Sequence, residues 1–181
     1  MRKRLDAGFT LLELLIVVAV IGIIAAIAIP GLMRARLSAN EAAAIGSLRA
    51  VNSSQQAYMA SCGNGFFAST LVILADPALG GMGFISPDLG AAISVEKSGY
   101  VIVMAEGSEA NNAPQDGCNP SGVAANLFSS YYASAQPLTP GSTGNRWFWT
   151  NSLGTIYASL SDDFDAEDVG NAQPTVGLPL Q

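Results

Sequence analysis

One uncharged run constrains this chain more than any other feature: LLIVVAVIGIIAAIAIPGLM, residues 14–33. Twenty residues in an α-helix span about 30 Å, the thickness of the hydrocarbon core of a bilayer. The run opens directly after Glu13, although an ionised carboxylate in hydrocarbon is strongly disfavoured. MRKR precedes it, and Arg34 and Arg36 follow it. Three positive side chains against two give a weak bias toward a cytoplasmic N-terminus. Three readings compete. A cleaved signal peptide is one, with AIA at 26–28 as a small-residue cleavage signal; the run is longer than a usual signal core. A plain membrane anchor is the second, and it gives Glu13 no purpose. The third uses every one of these features, Glu13 included.

The rest of the composition narrows the function classes. The 181 residues, read as an unprocessed precursor beginning at Met1, suit one domain plus an N-terminal appendage. The formal net charge is −6 and there is no histidine. The acidity argues against nucleic-acid binding. The commonest general base and metal ligand is missing, which weighs against an enzyme. The two cysteines, Cys62 and Cys118, both follow the apolar run. In an exported chain an even count suggests one disulfide, with two free buried thiols as the alternative.

The stretch AGFTLLELLIVVAVIGIIAAIAIP, residues 7–30, resembles the N-terminus of type IV pilins and type II secretion pseudopilins, the class III signal sequence. A short basic leader ends in Gly8, Phe9 follows, and Thr10, Leu11, Leu12 and Glu13 complete the string. The resemblance implies that a prepilin peptidase cuts between Gly8 and Phe9 and methylates the new amine of Phe9. The mature chain would carry five positive and thirteen negative side chains, a net of −8. It also implies a role for Glu13: its carboxylate meets the N-terminal amine of a neighbouring subunit, and opposite charges in an apolar core set the axial register. Snorkelling of Glu13 to the membrane surface is the bland alternative. Gly22 and Pro30 stand where such subunits loosen the helix, making GIIAAIAIP a candidate extensible segment. Gly weakens a helix interior and Pro removes a hydrogen bond. A packing role for Gly22 is the other reading.

Beyond Arg36 the pattern becomes amphipathic. Leu37, Ala44, Leu48, Val51, Tyr58 and Cys62 follow helical steps, while Asn40, Glu41, Arg49, Asn52 and Gln56 fall mostly on the wetter side. One helix is expected from about residue 9 to 59, a rod of about 75 Å. Its outer half would pack on a sheet and its inner half would stay bare, and long bare apolar surface signals assembly. Residues 63–99, broken by Gly and Pro, read as a connecting loop with one short helix near 68–75. YVIVMAE at 100–106 reads as a strand, NLFSSYYASAQP at 126–137 as a second, and RWFWTNSLGTIYASL at 146–160 as a hairpin turning at 151–154. The stretch from YYASAQP to IYAS is similar to the sheet of many pilin-like proteins.

The implied fold is α+β: a pilin fold whose long N-terminal helix, membrane-spanning in its first half, packs by its second half on a three- or four-stranded antiparallel sheet. The segments are a leader at 1–8, a transmembrane and assembly half at 9–33, an amphipathic half at 34–62, and a globular part with an acidic tail at 63–181. Many pilins place their second cysteine near the C-terminus. Here a Cys62–Cys118 bond would instead tie the helix end to a mid-chain loop.

The leading function is a structural subunit of an extracellular or periplasmic filament. A pseudopilin in type II secretion is the alternative, and a membrane-anchored exported enzyme is the rival from another class. No nucleophile–base pair and no zinc-like cysteine spacing supports the enzyme. No cofactor is expected. The acidic run Asp162, Asp163, Asp165, Glu167 and Asp168 offers oxygen ligands for calcium, but it lacks EF-hand spacing and reads better as a solvated tail. The expected partners are copies of itself or related pilins, the prepilin peptidase, an inner-membrane assembly platform and, before assembly, the lipid bilayer. No specific nucleic-acid partner is expected. The precursor would sit once through the inner membrane. The assembled form would be a surface pilus or a periplasmic pseudopilus.

Overall fold

The structure, a computed structural model, describes residues 9–78, 80–108, 110–162 and 177–180. The chain divides into two compact units between Arg36 and Leu37. Helix α1 (Leu11–Ser61) supplies all but Phe9 and Thr10 of the first unit's described residues and the opening of the second.

In the second unit α1 lies against an antiparallel sheet. The strands are β2 (Ser94–Lys97), β3 (Tyr100–Glu106), β5 (Tyr131–Pro137), β6 (Trp147–Asn151), β7 (Ile156–Ser159) and β8 (Leu178–Pro179), in that spatial order. β1 (Phe67–Ala68) and β4 (Leu127–Phe128) form a separate two-stranded ribbon. A short helix, α2 (Leu71–Ala75), follows β1.

Strand alternation fixes the register. Tyr100, Ile102 and Met104 of β3 point inward, and their neighbours are half-buried. Phe148 pairs with Ala135 on one side and Ala158 on the other. The small alanines leave room for its ring between α1 and the sheet. Ala44, Leu48, Val51 and Tyr58 of α1 join these residues in one core cluster. The helical stripe read from the sequence is therefore buried from Ala44 onward, while Leu37 is only half-buried.

The α+β architecture agrees with the expectation, but the sheet has six strands rather than three or four. β2 falls in the stretch read as loop. Its hairpin to β3 turns on two residues, Ser98 and Gly99, with φ of 50° and 76°. Positive φ at both central positions matches the twist of a tight hairpin. β8 pairs with the far edge at β7. The stretch at 126–137 is two strands, because the chain leaves the β1 ribbon at Phe128 and joins β3 from Tyr131. The short helix is confined to Leu71–Ala75, and Ala68 belongs to β1.

Three residues assigned to the wetter side of α1 are bound to the sheet or its loops instead. Asn52 donates to Thr150 Oγ1 at 2.9 Å and to the Gly154 carbonyl at 3.0 Å, and it accepts from the Tyr131 hydroxyl at 2.9 Å. Asn40 and Glu41 bind the loop before β6. Arg49 and Gln56 are exposed. The buried Gln55 reads both backbone groups of Ala68, donating to its carbonyl at 2.7 Å and accepting from its N–H at 3.0 Å. These bonds satisfy polar groups that burial would otherwise leave unpaired.

Candidate assembly site

From Phe9 to Arg36 every residue is exposed except Ala25, which is half-buried. Phe9, Leu11 and Ile27 are 74%, 81% and 77% exposed. By length and composition the helix that carries them is able to cross a membrane. Apolar residues lie all round this half of α1, so it has no polar face to offer water. Such a helix needs a partner, lipid or protein.

Its N-terminal turn closes on itself. Thr10 precedes the first helical residue, and the Thr10 N–H and hydroxyl both donate to Glu13 Oε2, at 3.0 and 2.7 Å. In return the Glu13 N–H donates to Thr10 Oγ1 at 3.2 Å. This is a capping box: a Thr and a Glu three residues on satisfy two backbone donors that the helix start leaves orphaned. The Thr-x-x-Glu spacing at Thr10 and Glu13 is the sequence signal for this local partner of Glu13. Among the described residues no donor bonds Glu13 Oε1.

α1 continues through Gly22 and Pro30 without a break. Beyond its own helix turn, a Cβ built at Gly22 would meet no described atom within 4 Å, so packing among the described residues does not account for that glycine. Gly8 and the leader lie outside the described residues, as do Asp163, Asp165, Glu167 and Asp168 of the acidic run. Asp162 is described and exposed. The described residues contain no group of three or more acidic, Cys or His side chains suited to holding a metal.

At the other end of α1, Cys62 and Cys118 form a disulfide with Cα atoms 4.8 Å apart. Asn119, beside it, was not singled out from the sequence. It is 5% exposed and donates to the carbonyls of Ile73 and Asp76 at 2.8 and 3.1 Å. It accepts from the Tyr58 hydroxyl at 2.9 Å. One asparagine thus joins α1, the end of α2 and the loop carrying Cys118. Burial, with the charge of Asp76 nearby, pushes the Tyr58 pKa up to about 12, so this hydroxyl remains a neutral donor.

The residues around the capping box also match a family model, described as the prokaryotic N-terminal methylation motif, over residues 3–29. The chain carries a class III signal sequence, that of type IV pilins and pseudopilins. No curated protein and no solved structure matches the chain. The motif implies processing by a prepilin peptidase and points to a pilin-type structural protein. Its long N-terminal helix with an antiparallel sheet is a pilin-like α+β architecture. The apolar helix fits a membrane-anchored precursor.

Proposed function

We propose that the chain is a subunit of a helical filament, a pilus or pseudopilus, assembled through residues 9–36. Cleavage falls between Gly8 and Phe9, and Phe9 becomes the methylated N-terminal residue. The precursor is held in the inner membrane with its N-terminus cytoplasmic, and the apolar helix exchanges lipid for neighbouring helices as the subunit joins the filament.

The observation that carries this reading is the coincidence of the matched motif with a helix half that is bare on every side. Glu13 fits the scheme geometrically. One carboxylate oxygen is engaged by Thr10 and the other is open among the described residues, leaving an acceptor for a neighbour's amine. A charge-assisted bond there is strong in an apolar surround, and a slipped neighbour leaves both charges unpaired. Gly22 has open space beside it and Pro30 is exposed, and both residue types weaken a helix interior, which supports a role for the segment between them in extension under load.

Intact-mass measurement of purified filaments tests the processing. A mass beginning at methylated Phe9 is expected, and Gly8→Arg leaves full-length precursor in the membrane. A retained leader, or a start near Ile29, overturns the reading.

A further inference from the structure

Counted from its N-terminal end, the first buried residue of α1 is an acid. Glu41 is 9% exposed, and both carboxylate oxygens are taken. Oε1 accepts the Asn145 N–H at 3.0 Å. Oε2 accepts Arg146 Nε at 2.9 Å and Nη2 at 2.7 Å. Its neighbour Asn40 donates to the Thr143 carbonyl at 2.9 Å. Two adjacent helix residues therefore grip three residues of one loop, Thr143, Asn145 and Arg146.

That loop is also braced within itself and by Tyr100 of β3. Thr139 N–H donates to Thr143 Oγ1 at 3.0 Å, and Gly141 N–H to the Gly144 carbonyl at 2.9 Å. Gly144 lies so close to the Tyr100 hydroxyl that a side chain there would collide with it. Tyr100 donates to the Arg146 carbonyl at 2.9 Å, and the Arg146 guanidinium stands 5.2 Å over the Phe148 ring. Arg146 is positioned before the carboxylate meets it.

The apolar grip on this part of α1 is slight. Ala44 is the only buried apolar residue before Leu48. The polar contacts do what side-chain packing does farther along, where Leu48, Val51 and Asn52 take over. We propose that Asn40 and Glu41, clamped to residues 143–146, form a stop that ends local unwinding of α1. Unwinding that begins in the Gly22–Pro30 segment runs to this clamp and no further, so the globular unit stays folded while the subunit lengthens. The stop rests on the extensible segment argued above.

Hydrogen exchange on the mature full-length subunit in detergent micelles tests the clamp. With Glu41→Gln, amides at 41–47 exchange roughly tenfold to a hundredfold faster, while those from Leu48 onward keep their protection. Arg146→Gln accelerates the same amides, and the double variant adds little, as expected for two halves of one contact. Arg49→Gln, an exposed change on the same helix, leaves the pattern unaltered. Unchanged exchange at 41–47 in both clamp variants overturns the proposal, as does acceleration spread through β3 and β5. If Glu41→Gln fails to fold, Arg146→Lys keeps the charge, loses the two-pronged contact and gives a smaller acceleration confined to 41–47. Flow-stretched filaments bearing Ala35→Cys or Ala44→Cys then separate the two claims. A rise in thiol labelling on stretching at 35 alone is expected, a rise at both positions overturns the stop, and a rise at neither overturns the extensible segment.

Discussion

The two halves of α1 are one helix built under two different rules. Residues 11–36 are apolar on all sides and bury almost nothing within the chain; residues 37–61 alternate buried and exposed faces and bury Leu48, Val51 and Tyr58 completely. Local hydrogen bonding is the same in both, so it does not distinguish them. What differs is where the partners come from. The second half finds its partners in its own sheet, through apolar contacts and through Asn52, Gln55 and Glu41. The first half has none among the described residues, which is the condition expected of a segment whose partners are lipid and then other subunits.

This contrast can be broken experimentally, beginning where the effect is largest. The packed half is locked at its end by the Cys62–Cys118 disulfide, which closes a sequence separation of 56 residues. Cys118→Ser should lower the stability of the globular unit by about 4 kcal/mol on the chain-entropy model. Chemical denaturation of the mature subunit in detergent, followed by the fluorescence of Trp147 and Trp149, measures this. A loss much smaller than that would mean that the Asn119 contacts hold the loop by themselves.

Side-chain truncation gives the next largest effect and compares the halves directly. Leu48 has no exposed surface, so Leu48→Ala should cost about 3 kcal/mol in the same denaturation experiment. Ile16 is 53% exposed, and Ile16→Ala should leave the unfolding midpoint of the globular unit where it was. Equal losses from the two substitutions would contradict the division of α1 into a packed half and an unpartnered one.

The sequence disclosed these halves unequally. The N-terminal string from Gly8 to Glu13 is contiguous, so it was legible as written. The apolar run was legible for the same reason, and so was β3, whose inward Tyr100, Ile102 and Met104 alternate cleanly. The bounds of α1 were close to expectation because helical spacing is local. Asn40, Glu41 and Asn52 were placed on the wrong side because their partners, at 143–154, stand about a hundred residues away. Polarity alone does not say whether a side chain meets water or a distant backbone carbonyl. β2 was missed because a four-residue edge strand carrying Glu96 and Lys97 has little apolar pattern, although the Ser98–Gly99 turn was a usable signal. Asn119 was invisible for a similar reason: its three partners, Tyr58 of α1, Ile73 of α2 and Asp76 just after it, are all remote in sequence.

The central claim is that the bare half of α1 is an assembly surface whose register depends on Glu13, and Glu13→Val tests it most directly. The substitution makes the segment more apolar, so membrane insertion and leader cleavage should persist. The incoming subunit would then bury its N-terminal amine without a counter-charge. Comparing sheared-filament and membrane fractions, the account predicts mature Glu13→Val subunit accumulating in the membrane and few or no filaments. Wild-type filament yield from the variant, with no other subunit present to supply the carboxylate, would contradict it.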